Sequence, residues 1–293
     1  MSRIYDALKR SSDSRQAQIG ATIDAIQAEV QVGVLPSQLS SSDISPDFAT
    51  EAHFTPGRSR YKLIRAMLPL AQPVFPFNGG PSAAAEQYRM LRTSLVQHPA
   101  QPRVMAISSA TPGDGKSTTT VNLAGTFALK SDSNVLIIDA DLRRCGVAEA
   151  LNLNTRDQRG LADVLRGDCG LDDAIVRLDQ LPNLHVLLAR RSTTNPAELL
   201  DSPAWKALIQ NLRGQFSHIL IDTTPMQAVA DFKLVQQVVD GVVMVVRPDH
   251  TSRPALAKAL EMNSNNNLLG LVINAYEDWF LFNTSQHYGY YTS

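Results

Sequence analysis

Residues 104–130 leave this chain little choice of architecture. Val104-Met105-Ala106-Ile107 is a short, wholly apolar run of the kind buried inside a sheet. It passes directly into Ser108-Ser109-Ala110-Thr111-Pro112-Gly113-Asp114-Gly115-Lys116-Ser117, and a helical stretch follows to Lys130. Strand, glycine-bearing turn and helix in that order form the context in which a phosphate-binding loop is read. Gly113 and Gly115 let backbone N–H groups converge on phosphate oxygens, and the helix N-terminus adds partial positive charge. Pro112, Gly113, Asp114, Gly115, Lys116, Ser117 and Thr118 are therefore the expected nucleotide-binding segment. Lys116 should reach the β- and γ-phosphates of ATP, and the Ser117 hydroxyl should ligate Mg²⁺. Ala110 stands where the usual pattern has its first glycine.

The runs Val135–Ile138, Leu184–Leu188, His218–Ile221, Val242–Val246 and Leu268–Ile273 repeat the apolar strand signature at helix-sized intervals. Helices are expected between them, for example over Pro203–Arg213 and Pro254–Asn263, with another over Ala83–Gln97 ahead of the first run. Alternation of this kind predicts an α/β fold: a doubly wound, mostly parallel sheet of the P-loop NTPase type with helices on both faces. We place that domain at residues 82–280. Residues 1–81 read as an N-terminal helix and a flexible linker rich in serine and proline, and residues 281–293 as a flexible tail. The N-terminal apolar stripes suit either a marginal surface helix or a docking helix for a partner.

Bulk properties narrow the function classes. A formal charge of −1 gives no support to nucleic-acid binding. Cys145 and Cys169 lack metal-ligand spacing and read as reduced thiols. The apolar runs are too short for a membrane span, and the charged N-terminus has no secretory core. A cytoplasmic chain follows, with any membrane association made through a partner.

Two more strands end in aspartates: Asp139 and Asp141 after Val135–Ile138, and Asp222 after His218–Ile221. Ligands of open α/β sheets bind at the carboxyl ends of the strands, so these carboxylates should gather near the phosphates. Phosphoryl transfer needs a metal-holding carboxylate and a group that positions the nucleophile. Lys116, Asp139, Asp141 and Asp222 are the candidate catalytic residues. Ser117, Asp139 and Asp222 are the candidate Mg²⁺ ligands.

These residues resemble, in order, four motifs of the bacterial tyrosine autokinases (BY-kinases) of capsule and exopolysaccharide synthesis. Pro112 to Thr118 matches the family's P-loop, Asp139-x-Asp141-x-Arg143 its second motif, and Asp222-x-x-Pro225 its third. Glu86, Arg89 and Arg92 match a helical Glu-x-x-Arg-x-x-Arg motif, and weaker echoes appear at Asn195–Leu200, Asp231, Val246-Arg247 and Asn274. Partition-type ATPases carry a lysine where this chain has Thr111, and iron–sulfur carriers need a cysteine pair after Cys169.

The resemblance implies an ATP- and Mg²⁺-dependent tyrosine kinase, with Arg143 near the nucleotide and Asp141 polarising the attacking phenol. It implies autophosphorylation at Tyr288, Tyr290 and Tyr291 in the tail, and a homo-oligomeric ring closed through Glu86, Arg89 and Arg92. The implied partners are a membrane-embedded chain-length regulator that activates the kinase and a tyrosine phosphatase. The activator is expected to be a separate protein, because no fused membrane-spanning activator precedes the kinase motifs. The sequence departs from the family at Arg190–Thr194, where relatives are proline-rich, at Thr224 and Cys145, where they carry proline, and in its short tail. A P-loop ATPase of the partition type and a nucleotide-gated assembly subunit are the alternative readings.

Overall fold

A strand covered on both faces is apolar at every position, and a helix packed on a sheet is apolar along one stripe. The structure, a computed structural model, describes residues 61–67, 83–155, 157–190, 195–227, 230–263 and 267–275. In chain order the elements are β1 (Lys62–Ile64), α1 (Ala83–Val96), β2 (Val104–Ser109), α2 (Lys116–Ala128), β3 (Val135–Asp139), α3 (Gly146–Ala150), α4 (Leu161–Arg166) and α5 (Leu171–Ala174). There follow β4 (Ile175–Leu178), β5 (Leu184–Leu187), α6 (Pro196–Leu200), α7 (Pro203–Arg213), β6 (His218–Asp222), α8 (Asp231–Gln236), β7 (Gly241–Val246), α9 (Arg253–Met262) and β8 (Leu268–Ile273).

The eight strands form one sheet in the order β1-β4-β5-β3-β6-β2-β7-β8. Every neighbouring pair is parallel except β4 and β5. Side chains alternate across it. Val104, Ala106, Leu136 and Ile138 join one core with Trp205, Ile209 and Leu212 of α7 and Phe232 of α8. Met105, Ile107, Val135 and Ile137 join the opposite core with Leu95 of α1 and Val121, Leu123 and Phe127 of α2. The sheet is therefore wound on both faces, as the β/α alternation predicts.

Local chemistry fixes the helix starts. The Asn195, Ser202 and Ser252 side chains accept the backbone N–H of Ala197, Trp205 and Ala255, and Pro196, Pro203 and Pro254 sit in the first turns. Two strands were not foreseen. β4 is four residues long and turns back on β5. β1, in the segment read as linker, pairs with β4 and is tied down by Asp179 N–H on the Ile64 carbonyl and by the Gln180 amide on Ala66. Lys62–Ile64 thus belongs to the sheet, which extends the domain below residue 82.

Among the described residues no helix is long and apolar enough to cross a membrane. Cys145 and Cys169 are not joined in a disulfide. The N-terminal helix expectation, residues Arg191–Thr194 and Tyr288, Tyr290 and Tyr291 lie outside the described residues.

Candidate active site

β2, β6 and β3 lie side by side, and each hands its last residue to the same edge of the sheet. β2 runs into the phosphate loop, where Gly113 and Gly115 have φ of 88° and 94°. That left-handed backbone is open to glycine at little steric penalty. Gly115 has a second reason to be glycine, since a Cβ there would lie 1.9 Å from Asn274 Nδ2. α2 begins at Lys116, so the free N–H groups of its first turn open towards the phosphate loop.

Asp139 and Asp222 are cross-strand partners in the β3–β6 ladder, and both are fully buried. Ser117 Oγ donates to Asp222 Oδ2 at 2.5 Å, and Thr120 Oγ1 reaches Asp222 Oδ1 at 3.4 Å. Asp139 receives the N–H of Asp141 on one oxygen and that of Val147 on the other, each at 3.1 Å. Asp141 is 5% exposed; its Oδ1 receives the N–H of Arg143 and Arg144, while Oδ2 takes no bond among the described residues. The pKa of Asp139 is held well above the usual carboxylate range, chiefly by burial and then by repulsion from Asp222. Burial likewise pushes Asp222 up to about 6, against the pull of Lys116 and Ser117.

Two carboxylates driven this far from their preferred charge state suit a site completed by a cation. Among the described residues no three His, Cys, Asp or Glu side chains converge to hold a metal by themselves. The donor set at hand is the Ser117 hydroxyl with the Asp222 and Asp139 carboxylates, which are hard oxygen ligands. Mg²⁺ normally completes such a set with water and nucleotide phosphates. Gly146 closes this corner, since a Cβ on it would meet Ser117 Oγ at 2.3 Å.

The chain matches the family model described as an AAA domain over residues 102–265. It is 36% identical over 214 residues to the tyrosine-protein kinase YwqD of Bacillus subtilis, covering 72% of this chain and 87% of that protein. The chain belongs to the bacterial tyrosine kinase (BY-kinase) family. The BY-kinase match extends to structure: the kinase domain of the Escherichia coli tyrosine kinase ETK superimposes with a TM-score of 0.59 at 28% identity, covering 66% of this chain and 78% of that one. A further relative is the succinoglycan biosynthesis transport protein ExoP of Rhizobium meliloti, 32% identical over 202 residues, covering 66% of this chain but 25% of that protein.

The remaining family positions are arranged as follows. Arg143 Nε donates to buried Asp231 at 3.0 Å, so the guanidinium is steered from across the sheet edge. Glu86 and Arg89 are exposed and paired at 2.8 Å, whereas Arg92 turns inward to the Thr126 carbonyl at 3.4 Å. The sequence placed all three on one face; the fold sets the third against α2.

Asp114 belongs to the expected nucleotide-binding segment, but its bracing by Thr251 and His250 was not foreseen. Asp114 is fully buried in this BY-kinase's loop, where it accepts Thr111 N–H at 2.9 Å and Thr251 Oγ1 at 2.8 Å. Its carbonyl accepts Asn274 Nδ2 at 2.9 Å, and His250 Nε2 pairs with the Pro112 carbonyl at 2.8 Å. Residues following β7 and β8 therefore brace the phosphate loop from above. The acidic residue within the loop and the echo at Asn274 were the signals available.

Proposed function

We propose that this chain is an ATP- and Mg²⁺-dependent protein-tyrosine autokinase that phosphorylates its own tail and so regulates extracellular polysaccharide synthesis or export. The observation that carries this reading is the cluster at the P-loop mouth: Ser117 on Asp222, Asp139 beside it, and Asp141 with a free carboxylate oxygen on the same edge. The loop amides and Lys116 bind and orient the triphosphate. Ser117, Asp222 and Asp139 would hold Mg²⁺, which supplies charge neutralisation on the phosphates when bound. Asp141 receives the tyrosine hydroxyl's proton as the phenolic oxygen bonds to the γ-phosphorus and ADP departs with the bridging oxygen. A phenol of pKa near 10 needs such an acceptor.

The family membership and the relative named for succinoglycan transport support a place on polysaccharide machinery. We place the chain on the cytoplasmic side of the membrane, recruited by a membrane-embedded chain-length regulator. It assembles there as a ring through the Glu86–Arg92 helix, with Tyr288, Tyr290 and Tyr291 as acceptors and a tyrosine phosphatase resetting the tail. Incubating the purified protein with Mg²⁺, ATP and an activator fragment tests this. Tail phosphotyrosine that disappears in Lys116→Met is the expected result. ADP without phosphotyrosine would instead establish an ATPase.

A further inference from the structure

A cavity of about 260 Å³ opens one residue away from the Ser117–Asp222 corner. That is smaller than the roughly 300–1,000 Å³ of sites built for drug-sized ligands, and suits a single large side chain. Cys145 forms its near wall, and the next residue, Gly146, is the one pressed against Ser117 Oγ. Leu188 and Ala189, both buried, continue β5 at the level of Asp139, since Leu187 pairs with Ile138. Arg159 and Arg190 stand exposed at its rim. The loop carrying Arg159 is pinned there by Leu161 N–H on the Leu188 carbonyl at 2.8 Å, and at Gly160 a Cβ would fall 2.5 Å from that carbonyl.

Arg159 and Arg190 are the charged side chains that line this pocket, and the nearby carboxylates of Asp163 and Asp168 are held by Arg166. Arg190 reaches Asp163 at 3.4 Å, but Asp163 is already held by Arg166 at 2.8 Å. Arg159 makes no salt bridge among the described residues. An apolar-floored pocket with two guanidinium groups at its mouth fits an aromatic ring that carries an anion. Guanidinium forks match phosphate geometry in particular.

We propose that this pocket binds a phosphotyrosine of the C-terminal tail of a neighbouring copy, holding it while a second tail tyrosine occupies the catalytic site. The inference rests on the kinase reading above. The tail Gln286–Ser293 has no Asp or Glu, so an anion on its rings has to come from phosphorylation. Tyr288 and Tyr290 are two residues apart. In an extended segment their rings leave on one side about 7 Å apart, so one ring can enter the pocket while the other faces the same surface of the protein. Phosphorylation at one position thus places the other.

The test needs no catalysis. A synthetic peptide of residues 284–293 phosphorylated at Tyr290 is titrated into full-length Lys116→Met protein, alongside the unphosphorylated peptide and inorganic phosphate. The phosphopeptide should bind at least tenfold more tightly than either control. Arg159→Gln, which sits outside the reaction centre, should remove about tenfold or more of that affinity, in line with a lost charge-assisted hydrogen bond. In the active protein it should leave the first phosphorylation rate unchanged and slow the second. Equal binding of both peptides, binding matched by inorganic phosphate alone, or an Arg159→Gln affinity within twofold overturns the pocket assignment. A missing phosphotyrosine product in the active protein overturns only the kinase reading.

Discussion

Gly146→Ala separates nucleotide binding at the Ser117–Asp222 corner from the stability of the fold. A Cβ at this position would lie 2.3 Å from Ser117 Oγ and 3.6 Å from Asp222 Oδ2. Gly146 is not among the positive-φ glycines, so alanine brings no backbone strain. It also opens α3, where alanine is the better helix former by up to about 1 kcal/mol. The clash is relieved when Ser117 rotates away, at the loss of its 2.5 Å bond to Asp222. A hydrogen bond to a charged partner is worth about 1.5–3 kcal/mol. At about 1.4 kcal/mol per decade, Mg²⁺–ATP affinity should fall roughly 10- to 100-fold. Titration with a fluorescent ATP analogue in Mg²⁺ measures this, and melting without nucleotide provides the control. Tm of the free protein should fall by no more than a few degrees, because the helix gain offsets part of the lost bond, while affinity drops. Affinity within twofold of wild type, or a Tm lowered by many degrees, refutes the assignment of Gly146 to the Ser117 corner.

Three further outcomes follow from the same geometry. Asp222→Asn should raise the Tm of the nucleotide-free protein at pH 7 while abolishing phosphotransfer. Because the folded-state pKa is raised, the folded chain binds more protons than the unfolded one between about 4 and 6, so wild-type stability falls as pH rises through that window. The asparagine variant should lose the Asp222 share of that pH slope, and an unchanged melting profile would contradict burial as the cause of the raised Asp222 pKa. Calorimetry of Mg²⁺–ATP binding near pH 6, in buffers of different ionisation enthalpy, should show proton release, which weakens as pH rises. Reversing the exposed pair as Glu86→Arg with Arg89→Glu should leave Tm within a degree or two, because surface ion pairs contribute about 0–1 kcal/mol. Sedimentation reads its effect on assembly: Glu86→Arg alone should shift a ring to monomer, and an unchanged oligomer argues against this helix as the contact.

How much was legible beforehand differs from residue to residue. The phosphate loop is contiguous, so glycine, lysine and serine at fixed spacing carry its geometry directly. The aspartates at 139, 141 and 222 could be placed because a strand's carboxyl end is a position along the chain as well as in space. β4 escaped because four residues after a one-turn helix carry too little periodicity, and β1 because its partner lies more than a hundred residues on. The inward turn of Arg92 depended on where α1 lands on α2, which no helical wheel contains.

The sequence by itself determined the architecture and the chemistry at the strand ends, since both follow from local periodicity and from residue types set a few positions apart. Only the tertiary structure decided that Thr251 and Asn274 brace Asp114 across 137 and 160 residues, that Gly146 must be small to leave Ser117 on Asp222, and that Arg159 and Arg190 meet over one pocket. Those contacts depend on how the loops at one sheet edge close over each other. Their residues share no spacing along the chain, and packing alone brings them together.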